Sequence, residues 1–181
     1  MQKRDWFASA GLIYVAAWVL GLIIEFDTPQ ASQPITQLTS YFSAHQQSHL
    51  IQAYLIAGIA GLALLVFTAS LSSYLQKRTD GKTSYHSVIL GAGTIAAGIS
   101  LVQAGLQKAL TKREILMSQG ELLRLILVLI NTTDTFKLLA LALLSASVSL
   151  LALRHNVLPP WIGWLGALLA VSLVLGGLNF L

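Results

Sequence analysis

Five stretches of this chain run for sixteen residues or more without a single Asp, Glu, Lys or Arg: 7–24, 51–75, 88–107, 138–153 and 161–181. A helix of about 20 apolar residues rises about 30 Å, the thickness of a bilayer's hydrocarbon core. In lipid a chain must satisfy its own backbone polar groups, and helices do so within one segment. The pattern therefore predicts an all-α integral membrane bundle. Composition agrees: 18 of 181 residues are charged, or 10%, where soluble domains carry roughly a quarter. With 55% hydrophobic residues and a mean hydropathy of +0.72, a soluble enzyme domain and a disordered tail are both excluded. The net charge of +4 does not point to nucleic acid, because no basic run exceeds two residues, as in Lys112-Arg113. Without cysteine, disulfides, thiolate metal sites and cysteine nucleophiles are ruled out.

The chain reads as one membrane domain over residues 1–181, with five spans near 7–26, 51–73, 88–109, 121–153 and 161–181. The first is expected to stay uncleaved. Its apolar run is longer than a secretory core, and small residues at cleavage spacing are missing around Pro29-Gln30-Ala31. Trp6 and Trp18 are candidate interfacial anchors there, and Glu25, Asp27 and Pro29 mark its far end. A polar connection rich in Thr, Ser and Gln follows, where Thr39 or Ser40 is expected to cap the helix leading into span two. In span three, Ala92, Ala96, Ser100 and Ala104 recur every four residues and form a small face suited to close helix packing. The fourth span is long or broken. Residues 121–153 would make a helix of about 50 Å, and neither Pro nor Gly interrupts them. One long crossing is the preferred reading, with two short spans joined at 131–137 as the alternative.

Lys and Arg set the orientation. With five spans and the N-terminus inside, Lys3, Arg4, Lys77, Arg78, Lys82 and Arg154 lie on the cytoplasmic side, whereas Lys108, Lys112 and Arg113 fall outside against the rule.

Chemistry-bearing residues concentrate in the fourth span as Glu121, Arg124, Asn131, Asp134 and Lys137. The pairs Glu121–Arg124 and Asp134–Lys137 are spaced by three and can meet on one helix. Charges in hydrocarbon are costly and find a partner, a cavity or the interface. Asp134 at membrane depth would suit ion or proton movement; near the headgroups, the same pair is structural. His45 and His49 are an i,i+4 pair and weak candidates for metal, since two ligands fall short of the three or four that zinc sites use. His86 and His155 stand at span ends, too shallow for a bis-histidine haem. No metal or other cofactor is expected, and no nucleotide, zincin or serine-elbow motif occurs.

Leu158, Pro159, Trp161, Gly163, Trp164 and Gly166 form a Leu-Pro-x-Trp-hydrophobic-Gly-Trp-hydrophobic-Gly turn. It resembles the link between the last two spans in families of small bacterial multi-pass inner-membrane proteins with no assigned activity. The resemblance implies an inner-membrane helical bundle and no particular substrate or cofactor. The leading functional reading is an accessory, assembly or regulatory membrane subunit. It would meet membrane lipids and either a membrane-protein partner or further copies of itself, and no nucleic acid. Alternatives are a small transporter, channel or proton-coupled module using the polar residues of the fourth helix, and a lipid-handling protein.

Overall fold

The computed structural model describes residues 9–24, 28–81, 83–117 and 120–178, and every regular element among them is helical. The elements are α1 (Ser9–Ile24), α2 (Ile35–Ala44), α3 (Gln46–Gln52), a π-helical segment (Ala53–Ile59), α4 (Ala60–Arg78), α5 (Tyr85–Leu110), α6 (Arg113–Met117), α7 (Glu121–His155) and α8 (Pro160–Leu178). From α3 through α4 the helix is continuous, Gln46–Arg78.

Among the described residues, four helices are long and apolar enough to cross a membrane: Gln46–Arg78, Tyr85–Leu110, Glu121–His155 and Pro160–Leu178. The expected first span corresponds to α1, of which 16 residues are described. Trp6, Glu25 and Asp27 lie outside the described residues. α7 is a single helix of 35 residues, and its sequence contains nothing that demands a break.

Neighbours follow the chain. α1 lies on α3, the π segment and α4; α4 packs on α5, α5 on α7, and α7 on α8. Small residues permit these contacts. Ala92, Ala96 and Ser100 of the four-residue stripe are buried and Ala104 is half-buried. A methyl group on Gly61 would sit 3.1 Å from Ser100 Cβ, and one on Gly93 would sit 2.4 Å from Thr68 Cγ2. In the α7–α8 link, a methyl on Gly163 would sit 2.7 Å from Leu153 Cγ. The Ser149 hydroxyl donates 2.6 Å to the Gly163 carbonyl. The glycines of the Leu158–Gly166 turn thus let α8 close against α7, where dispersion and interhelical hydrogen bonds replace a hydrophobic driving force.

One expected helix start moves. Thr39 and Ser40 do not cap; they lie inside α2, and their hydroxyls donate back to the Ile35 and Gln37 carbonyls at 2.9 Å each. The helix begins after Pro34 (φ −56°), whose ring fixes a φ compatible with helix initiation. Leu38 and Phe42, one turn apart, then bury completely against Leu110, Leu116, Leu123, Ile126 and Leu127. That burial fixes the helix more strongly than a hydroxyl cap does.

The bundle has two unlike ends. At one, which we call the turn end, the end of α4, the start of α5 and the end of α7 pack together with the 156–159 link through Leu75, Tyr85, Ile89, Leu151, Val157 and Leu158. At the other, the cap end, α2, α6 and the start of α7 enclose the Leu38–Phe42 cluster.

Candidate functional site

Gln103, one of two amides in α5 with Gln107, is buried and faces α7. Its Nε2 donates to the Ile130 carbonyl (3.1 Å), Thr133 Oγ1 (3.3 Å) and Asp134 Oδ1 (3.1 Å). Its Oε1 accepts from Lys137 Nζ at 2.8 Å, and the Lys137 ammonium also pairs with Asp134 Oδ1. Trp18 of α1 presents its ring to the same ammonium, 5.8 Å from the centroid, within the range of a cation–π attraction. Lys137 is 7% exposed, whereas the Asp134 side chain is 34% exposed. The cluster ties α1, α5 and α7 through groups that complete one another's hydrogen bonds.

Spacing of three places Asp134 and Lys137 on one face of α7, as the sequence implied. The other candidates lie elsewhere. Arg124 is exposed and donates from Nη2 to the Gln33 carbonyl at 3.0 Å, fastening the polar connection to α7. Glu121 and Asn131 are exposed. His45 stacks on Tyr41 at 4.5 Å, and buried His49 meets the Phe42 ring edge-on at 5.0 Å. Among the described residues no three His, Cys, Asp or Glu side chains form a group that could hold a metal ion. His86 and His155 are both at the turn end, near the start of α5 and at the last residue of α7.

The level of the cluster along the bundle can be read against α8, the least enclosed of the four long helices. Only 11% of its span is buried, against 39–44% in the others. Apolar nearly all round and about 28 Å long, α8 is suited to a membrane span. Gly163, near its start, packs on Leu153, and Gly177, near its end, packs on Leu138 and the Thr135 carbonyl. The far end of α8 is therefore level with Thr135–Leu138, beside Asp134 and Lys137. Lys137 stands about 27 Å from His155 along α7, and Gln103 about 27 Å from Tyr85 along α5. The ion pair thus lies level with the far end of α8, on the side of the cap end. The first fourteen residues of α7 rise about 20 Å beyond it.

Sequence reasoning missed Gln103, the facing role of Trp18, and buried Gln52, whose Nε2 donates to the Gly21 carbonyl at 3.4 Å. The available signal was an amide within an apolar run, since such residues hydrogen-bond across helices. A separate apolar groove of about 450 Å³ lies between α7 and α8, lined by Leu, Ala and Val residues including Leu139, Ala146, Ala170 and Val174.

Fold and cluster together define a multi-pass, all-helical membrane protein. Comparison with protein families, curated proteins and solved structures finds no match.

Proposed function

We propose that this chain is a five-span accessory, assembly or regulatory subunit of a bacterial inner membrane, with its N-terminus and turn end cytoplasmic. The observation that carries the reading is the apolar surface of the cap. Leu122, Leu125, Val128 and Leu129 of α7 are 41–54% exposed, and Met117 of α6 is 70% exposed. In this reading Leu122, Leu125 and Met117 stand beyond the hydrocarbon edge. Contiguous apolar surface facing water marks an interaction site, and a membrane-anchored partner or a second copy would cover it. The Gln103–Asp134–Lys137 cluster serves in this reading as a clamp between helices.

The absence of native cysteine makes the test clean. Leu125→Cys at the cap and Leu168→Cys on α8 are each crosslinked in native membranes, and the product is purified and weighed. Leu125→Cys should give one reproducible adduct, whose mass separates a homo-oligomer from a different subunit. Leu168→Cys should give none. No adduct at Leu125→Cys would end the proposal.

A second reading, a proton- or ion-coupled module, is favoured by the partial exposure of Asp134. In liposomes holding the purified protein, a protein-dependent flux abolished by Asp134→Asn would support it; flux unchanged by the substitution would remove it.

A further inference from the structure

We infer that the turn end is a binding surface for anionic phospholipid headgroups. Lys77 and Arg78 occupy the last turn of α4, and Arg154 and His155 the last turn of α7. All four are exposed. The contact of Leu75, Tyr85 and Ile89 with Leu151, Val157 and Leu158 brings these two helix ends to one rim. Asp80 is the one acidic residue described at this end.

Position makes the rim a headgroup site. Trp161 and Trp164, 62% and 68% exposed at the start of α8, mark the interface here, where tryptophan prefers to sit. The links are short, so among the described residues no cap stands between the cations and the phosphate plane. The Arg78 guanidinium lies 5.3 Å from the Tyr74 ring centroid, and Tyr74 is itself 42% exposed. That stacking holds Arg78 on the lipid-facing perimeter and lowers the entropy lost when it meets a phosphate.

The cap end is different. Its cations Lys108, Lys112, Arg113 and Arg124 are accompanied by Glu114 and Glu121. Lys108 lies 6.0 Å from the Tyr54 ring centroid, and Arg124 is bonded to Gln33. Arg124 also stands about 20 Å beyond Lys137 along α7, far from the plane of the phosphates. Cations beside an anionic leaflet each favour binding by about fivefold, so the two ends should differ sharply.

The test uses the full chain in bilayers of phosphatidylcholine with 20 mol% phosphatidylglycerol. Spin-labelled versions of each lipid report the motionally restricted fraction. Phosphatidylglycerol should be selected over phosphatidylcholine by about fivefold or more. The variant Lys77→Gln/Arg78→Gln/Arg154→Gln, altered only at exposed side chains, should lower that ratio several-fold. Lys108→Gln/Lys112→Gln/Arg113→Gln should leave it unchanged. Equal selection of the two lipids by the unaltered protein, or loss of selection in the cap-end variant alone, would overturn the inference. So would full displacement of phosphatidylglycerol by 10 mM inorganic phosphate, because the surface would then bind a soluble anion.

Discussion

Replacing Asp134 with Ala tests what the polar cluster contributes. The Lys137 ammonium, 7% exposed, would lose its only carboxylate among the described contacts and keep the Gln103 amide oxygen and the Trp18 face. Stripping one partner from a fully buried ion pair costs about 3–5 kcal/mol, because the remaining charge stays desolvated. Asp134 is one-third exposed, so part of that cost is relieved by water, and about 2–3 kcal/mol remains. Replacing both partners, as Asp134→Leu/Lys137→Met, removes the stranded charge. The double variant should recover only part of the loss, about 1 kcal/mol at most, because the Gln103 amide then forfeits one acceptor and one donor, at about 1 kcal/mol each. Equilibrium unfolding in mixed micelles by steric trapping gives the three free energies. A single variant within 0.5 kcal/mol of the unaltered protein, or a double variant below the single one, would refute the clamp.

Two further substitutions probe helix contacts. Gly163→Ala places a methyl 2.7 Å from Leu153 Cγ and 3.2 Å from Ala152 Cβ, so α8 must shift away from α7; a loss of about 1–3 kcal/mol is expected in the same assay. Gly120→Ala forces an alanine to φ 77° and brings its Cβ against Ile35 Cγ2. Those strains should loosen α2 from α7, seen as faster amide exchange over residues 35–44 with exchange in α8 unchanged.

The fold was legible wherever one residue's burden could be read locally. Uncharged runs located the long helices because lipid leaves no alternative to helical backbone. The lack of Pro or Gly between Glu121 and Leu153 anticipated an unbroken α7, and the Pro-Pro-Trp turn anticipated the closing pair. Thr39 misled because a good capping residue competes with burial, and the Leu38–Phe42 pair governs that segment. The π segment at Ala53–Ile59 left no signature, since its register depends on neighbours such as α1, where a methyl on Gly21 would sit 2.3 Å from Ile56 Cγ1. Half of the candidate site was visible as the Asp134–Lys137 spacing. Its other half, Gln103 and Trp18, lies 31 or more residues away in sequence from Asp134, and no local periodicity links residues so far apart. Glu121, Arg124 and Asn131 looked equivalent to Asp134 because hydropathy does not report which end of a 35-residue helix leaves the layer.

The central claim is the depth proposed for the cluster, level with the far end of α8. Cysteines placed singly at the exposed α7 positions Leu125, Thr132, Leu139, Leu143 and Leu150 can be spin-labelled in bilayers and scored for collision with a water-soluble nickel chelate and with oxygen. High nickel access at positions 125 and 132, with oxygen-rich, nickel-poor environments at 139, 143 and 150, is the expected profile. Nickel exclusion extending through position 125, or nickel access persisting at 143, would contradict it.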